Sequence, residues 1–254
     1  MLLQLHGVCK RYGATPVLRN IDLSVHSGEF VGVIGPNGAG KTTLFGLIAG
    51  NLACDSGRIE LEGRDLTRQR AQQRCHSGIA RTFQVPQPFE TLTVYENALV
   101  SATFGAELQG AQATAAAIAA LKRCGLLRVA DHPAATLGLL QRKRLELARA
   151  LATQPRLLLL DEVAGGLTDR EMVDLVQLVR ELHAEGVTVL WIEHLVHALV
   201  PVAQRLVVLA EGQVLADGVP ATVVANSQVR ETYLGTDFDV DTPATRRETE
   251  HAAH

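Results

Sequence analysis

Residues 35–43 read Gly35-Pro36-Asn37-Gly38-Ala39-Gly40-Lys41-Thr42-Thr43, which is the spacing GxxxxGK[ST] of a phosphate-binding loop. The flanks fit that reading. Phe30-Val31-Gly32-Val33-Ile34 precedes the loop as a buried strand would, and Leu44-Phe45-Gly46-Leu47-Ile48-Ala49 follows as a helix with Gly50 at its C-cap. Glycines allow backbone N–H groups to curl around phosphate oxygens without interference from Cβ atoms. Lys41 then brings a cation to the β- and γ-phosphates, and the Thr42 hydroxyl is available to Mg²⁺. Strand, loop and helix together imply a bound nucleoside triphosphate and an α/β fold.

Composition bounds the rest. The 254 residues suffice for one large α/β domain with an inserted subdomain, and 47% hydrophobic against 20% charged residues describes a globular chain. A net charge of −3 gives no reason to expect nucleic-acid binding. Cys9, Cys54, Cys75 and Cys124 are scattered, without a CxxC pair or a histidine at ligand spacing, so reduced thiols are expected rather than a metal site. The N-terminus shows no signal-peptide pattern. The most apolar long stretch, 195–210, is interrupted by His197, Pro201, Gln204 and Arg205, so any membrane role is expected to be peripheral.

Strand-like runs at Leu2–Val8, Val17–Val25 and Gly57–Leu61, with Gly13 and Gly63 in turns, predict a small antiparallel sheet beside the nucleotide core. Helical periodicity over Val94–Thr103, Ala111–Cys124 and Gln141–Ala152 predicts an inserted helical subdomain, spanning about residues 90–153. The core resumes with Leu157–Asp161, a continuously apolar strand of the kind covered on both faces. A helix over Asp169–Glu185, a strand over Thr188–Glu193 and a hairpin around Glu211-Gly212 complete it. Residues 236–254 have the composition of a disordered tail.

The acid at the end of the 157–161 strand narrows the chemistry. A carboxylate there faces the phosphates from the sheet's C-terminal edge, where Asp161 can hold Mg²⁺ and Glu162 can polarise an attacking water. Glu162, with an ordinary pKa near ~4.3, is ionised at neutral pH as a general base must be. His194 ends the next strand, in Trp191-Ile192-Glu193-His194, placed to reach the γ-phosphate. Gln84 ends the strand-like run Ile79-Ala80-Arg81-Thr82-Phe83-Gln84, where its amide can contact Mg²⁺ or water and register the position of the helical insert.

Taken in order, these residues resemble an ATP-binding cassette (ABC) ATPase, the nucleotide-binding subunit of an ABC transporter, over residues 1–235. The resemblance implies a P-loop NTPase core with a mixed, mainly parallel sheet, an antiparallel β subdomain and an inserted helical subdomain, with ATP and Mg²⁺ as ligands. It matches Tyr12 to the adenine-stacking aromatic, Gly35–Thr43 to Walker A, and Gln84 to the Q-loop. Leu157–Asp161 with Glu162 matches the Walker B strand and catalytic glutamate, and His194 the switch histidine. Gly78–Gln84, Leu92–Asn97, Ile192–His194 and Val229–Gly235 are similar to branched-chain amino-acid uptake ATPases. That family implies a second ATPase subunit, identical or not, two membrane permease subunits, an extracytoplasmic solute-binding protein, and a peripheral place on the cytoplasmic face of the membrane. Val85-Pro86-Gln87-Pro88-Phe89 is the expected permease contact, with Phe89 either an exposed anchor or packed under the loop.

Three segments depart from the family pattern. The signature Leu-Ser-x-Gly-Gln aligns with Leu137-Gly138-Leu139-Leu140-Gln141, in register with Arg144–Leu151. Gly138 lacks the serine hydroxyl that would reach the ATP of the opposite subunit, and Leu140 replaces a glycine. A helix N-terminus near Gln141 still supplies amides and roughly half a unit of positive charge. Val163 and Thr168-Asp169 stand where prolines are usual, and all three departures are expected on the surface that meets the other ATPase. Gly138 and Leu140 motivate a second reading, a regulatory nucleotide-binding subunit with weak hydrolysis. A non-transport ABC ATPase working on nucleic acid or ribosomes is disfavoured by the single cassette and the absence of metal spacing. A GTPase is disfavoured because no Asn-Lys-x-Asp follows.

Overall fold

The computed structural model describes residues 1–194 and 196–234. Strands β1 (Leu3–Tyr12) and β2 (Thr15–Val25) open the chain, joined at Gly13 by a turn that needs a φ of +59°. Strand β3 (Phe30–Ile34) runs through the glycine loop into helix α1 (Lys41–Ala49), which Gly50 ends in the left-handed conformation. Then come β4 (Ser56–Leu61), β5 (Arg64–Asp65), α2 (Ala71–His76) and β6 (Ile79–Arg81). Helices α3 (Val94–Gly105), α4 (Gly110–Arg123) and α5 (Leu139–Ala152) follow together. The remainder alternates: β7 (Leu157–Asp161), α6 (Asp169–Ala184), β8 (Thr188–Ile192), the short α7 (Val196–Leu199), β9 (Arg205–Ala210), β10 (Gln213–Gly218) and α8 (Pro220–Ala225).

The strands form two sheets. A six-stranded sheet has the order β10-β9-β3-β8-β7-β6, parallel throughout except for β10, which pairs antiparallel with β9. A four-stranded antiparallel sheet has the order β2-β1-β4-β5. Every residue of β3, β7 and β8 is buried, which is why these strands read as unbroken apolar runs. Their side chains alternate between two cores, as a pleat requires. Val31, Val33, Leu157, Leu159, Leu190 and Ile192 join α1 and the antiparallel sheet. Phe30, Leu158, Leu160, Val189 and Trp191 join the helices on the opposite face.

Alanine packs the helical part closely: Ala98 and Ala102 of α3, Ala113, Ala117 and Ala120 of α4, and Ala148 of α5 are all buried in one cluster. Among the described residues no helix is long and apolar enough to cross a membrane. The apolar stretch after His194 is divided between α7 and β9. The segment read as a disordered tail lies outside the described residues.

Candidate nucleotide site

Parallel pairing decides the site. It places the C-terminal ends of β3, β6, β7 and β8 on one edge of the sheet, and there the chain leaves each strand with a polar group. β8 lies between β3 and β7, with Ile192 level with both Val33 and Asp161. The glycine loop leaves β3 through Gly35, where an added Cβ would lie 2.1 Å from the Leu209 carbonyl oxygen of β9. Asn37 and Gly38 are exposed, Pro36 and Gly40 half-buried, and Gly35 and Ala39 buried. Lys41, Thr42 and Thr43 form the first turn of α1.

Lys41 is buried and its Nζ donates to the carbonyl oxygens of Gly35 at 2.7 Å and Pro36 at 3.1 Å. Burial pushes its pKa below the ordinary lysine range, while the Glu162 and Asp161 carboxylates pull it back up. The cation is thus pre-placed in the loop and faces the two acids. Tyr12 is 50% exposed at the end of β1, paired with Thr15 across the turn. The hairpin lies close to the loop: Val17 O is 3.0 Å from where a Cβ on Gly40 would stand.

Glu162 is the convergence point. Gln84 Nε2 donates to Glu162 Oε2 at 2.7 Å, and His194 Nε2 lies 2.5 Å from Glu162 Oε1. The three side chains come from segments after β6, β7 and β8, so the sheet's edge assembles what sequence separation keeps apart. Asp161 is buried and pairs with Arg81, Nη2 to Oδ2 at 2.6 Å. Arg81 also stands over the Phe83 ring at 5.1 Å. The residues present fit Mg²⁺: Thr42 and Asp161 offer hard oxygen donors beside a loop that would bring phosphate oxygens, the combination magnesium favours over an all-protein cage. Among the described residues no cluster of three His, Cys, Asp or Glu is built to hold a metal alone.

Several sequence expectations need correcting. β6 ends at Arg81, so Gln84 sits in the loop three residues beyond rather than at a strand end. Helix α5 starts at Leu139, with Gly138 as N-cap at φ −68° and ψ 168°. Gln141 therefore lies inside the first turn, and Leu140 before it packs partly against the core. Gly138, Leu139 and Gln141 are exposed. Val163 is only 6% exposed and belongs to the core, not to an outer surface. Thr168 caps α6 in a reciprocal box with Glu171, doing the N-cap work for which Asn or Asp also serve. Phe89 is 46% exposed, with the Arg149 guanidinium 5.1 Å from its ring.

Three residues had no role in the sequence reading. Arg81 reaches Asp161, Lys143 reaches from α5 to the Gln84 carbonyl at 3.5 Å, and Glu193 is buried beside His194. A charged residue closing a wholly apolar run was the available signal for Arg81 and Glu193. Lys143 carried none.

Comparison with known proteins decides the family. The family model described as ABC transporter matches residues 18–165. The chain is an ABC transporter ATPase. A second model, branched-chain amino acid ATP-binding cassette transporter, matches residues 213–239 of the cassette. The cassette is 37% identical over 249 residues to the high-affinity branched-chain amino acid transport ATP-binding protein LivG of Salmonella typhimurium, covering 92% of this chain and 98% of that one. It is 32% identical over 237 residues to the lipopolysaccharide export system ATP-binding protein LptB of Haemophilus influenzae, covering 93% and 98%. Among solved structures it resembles a nucleotide-free ATP-binding cassette from an ABC transporter, with a TM-score of 0.83, 31% identity and coverage of 92% and 99%. It also resembles a dimeric bacterial ABC transporter cassette, with a TM-score of 0.77, 26% identity and coverage of 86% and 99%.

Proposed function

We propose that this cassette hydrolyses Mg-ATP at its own phosphate loop to drive an importer of branched-chain amino acids or related small organic solutes. The observation that carries hydrolysis is the Glu162 carboxylate, engaged at one oxygen by Gln84 and at the other by His194. A carboxylate fixed on both sides has one orientation in which to take a proton from water lying against the γ-phosphate. Lys41 and the loop amides of Gly38–Thr43 would bind the phosphates and Tyr12 would stack on the base; Thr42 and Asp161 would hold Mg²⁺, which would supply positive charge beside the phosphoryl oxygens.

The import assignment rests on the C-terminal match to branched-chain amino-acid cassettes and on the LivG-like relatives; the likeness to the export protein LptB keeps the opposite direction open to test. On this reading the cassette pairs with a second ATPase subunit, as in the dimeric solved structure. It sits on the cytoplasmic face of the membrane beneath two permease subunits fed by a solute-binding protein. The cleft between α1, α3 and α5 lined by Asn51, Arg81, Phe83, Ser101 and Arg149 is the permease contact, beside the exposed Val85 and Phe89.

Glu162→Gln is the direct test. It is expected to retain Mg-ATP binding and lose turnover by at least 10²-fold, the usual range for a removed general base. Turnover at the wild-type rate would overturn the assignment of Glu162. The solute follows from the intact complex: uptake of labelled leucine that fails in the variant supports import, and uptake unaffected by it refutes that.

A second reading is favoured by one observation, the absence of a hydroxyl at Gly138. The site completed by this chain's signature loop on the other subunit would then bind ATP but turn it over slowly. Robust hydrolysis in the assembled complex that disappears when this chain carries Lys41→Ala rejects a purely regulatory role.

A further inference from the structure

A carboxylate buried at the end of an apolar strand needs a reason, because desolvating it is costly unless its oxygens are satisfied. Glu193 is such a group, 2% exposed, directly after the fully buried β8 and directly before His194. Its Oε1 accepts from the Ala164 backbone N–H at 2.8 Å and from the Trp191 indole Nε1 at 3.1 Å. Its own N–H donates to Val33 O of β3 at 3.3 Å. Its side chain and backbone thus link three segments that meet at the nucleotide edge.

We propose that Glu193 is a positioning residue that fastens the turn after Glu162 to the end of β8 and so fixes the direction of the Glu162 carboxylate. Glu162 takes a φ of +47°, a left-handed backbone uncommon for a residue with a Cβ and held here by hydrogen bonds on either side. Before the turn, Glu162 N–H donates to Ile192 O at 2.9 Å; after it, Ala164 N–H donates to the Glu193 side chain. Ile192 and Glu193 are the two residues before His194, so the strand end that delivers His194 also grips the backbone carrying its partner, 2.5 Å away.

Lys143 supports the same clamp from α5. It is buried, its charge attracts Glu193, and its Nζ reaches Gln84 O at 3.5 Å. The backbone of Gln84, whose side chain meets Glu162, is therefore held from α5 by a lysine that also feels the Glu193 charge. Burial, with a smaller push from the Glu162 charge, raises the Glu193 carboxyl above the ordinary range, so a neutral amide of the same shape is tolerable there. The acceptor oxygen that holds Ala164 and Trp191 does most of the positioning, and the attraction of Lys143 is the lesser contribution.

This role rests on the reading of Glu162 as the group that orients water, and the test separates the two. In the full-length chain, with partner subunits where turnover needs them, kcat and the Mg-ATP Kd are measured for Glu193→Gln, Glu193→Leu, Glu193→Asp and Glu162→Gln. The emission of Trp191, the chain's one tryptophan, is followed in each. Glutamine keeps an oxygen for both donors and should turn over within about threefold of wild type. Leucine has no acceptor and aspartate is one methylene too short. Both should lose about tenfold to a hundredfold in kcat, the scale of a ~1 Å misplacement, with Kd within about twofold. Trp191 emission should shift in the leucine variant, whose indole loses its acceptor, and stay put in the glutamine variant.

Wild-type kcat in the leucine or aspartate variant, a glutamine variant as slow as the aspartate one, or a Kd that weakens in step with kcat would each overturn the proposal. If the leucine variant does not fold, the aspartate and glutamine variants decide. Glu193 fails alone if Glu162→Gln is inactive while Glu193→Asp is unaffected. If Glu162→Gln is fully active, both assignments fall.

Discussion

Substituting Gly35 by alanine probes how the phosphate loop is seated. The new Cβ would lie 2.1 Å from Leu209 O, and 3.1 Å from the carbon of the same carbonyl. Ordinary contacts lie near ~3.5 Å, so something must move by about 1 Å. Leu209 cannot easily yield, since it is buried and paired with Val214 of β10. The loop has to move instead. Overpacking of this kind costs about 1–3 kcal/mol. Gly35 also has a φ of +155°, a conformation that is strained for alanine by about 1–3 kcal/mol.

Displacing the loop by about 1 Å misaligns the amides that would cradle phosphate, and a misplacement of that size is worth about 10²-fold. Gly38→Ala is the control. Its φ is +83° but its Cβ would meet nothing within 4 Å, so it carries only a backbone cost of about 1–2 kcal/mol, roughly five- to thirtyfold in affinity. Titration calorimetry with Mg-ATP on folded protein should rank wild type, Gly38→Ala and Gly35→Ala in that order, with Gly35→Ala weaker than wild type by about 10²-fold. If Gly35→Ala binds as tightly as Gly38→Ala, the seating of the loop against β9 does not control phosphate binding.

Gly138→Ser should raise the ATPase rate of the assembled dimer: the Cβ has open space and an ordinary φ, and one hydroxyl–phosphate bond is worth about 1.5–3 kcal/mol, roughly tenfold to a hundredfold. An unchanged rate would show that the missing hydroxyl limits nothing. Arg81→Met strands the buried Asp161 carboxylate, a loss of about 3–5 kcal/mol, or roughly 6–20 °C in Tm for a chain of this size; thermal melts should show Mg-ATP stabilising this variant more than wild type. Cys124 is fully buried, which pushes its thiol up to about 12 from an ordinary 9.0. The neutral thiol is thus the native form, so its contribution to stability is complete below pH 9 and is lost as pH rises towards 12, the direction required when a folded pKa lies above the unfolded one. Mass mapping at pH 8 should find Cys124 unlabelled by a thiol reagent until the protein unfolds, while Cys9, Cys54 and Cys75 react; labelling of native Cys124 at their rate would contradict its burial.

What the sequence by itself determined was everything set by neighbours in the chain. The glycine loop with its strand and helix was legible because Gly35, Gly38 and Gly40 take backbone angles other residues avoid, and Lys41 follows at fixed reach. β3, β7 and β8 were legible because strands buried on both faces read as apolar runs. Tertiary structure alone decided which side chains meet. Gln84 and Glu162 stand 78 residues apart and touch only because β6 and β7 are parallel neighbours. Arg81 on Asp161, Lys143 behind Gln84 and Glu193 on Ala164 are likewise invisible to periodicity, which reports whether a face is buried but not what opposes it. The start of α5 at Leu139 and the burial of Val163 follow the same rule. Local propensity proposes a boundary, and the packing of one side chain against a distant wall moves it.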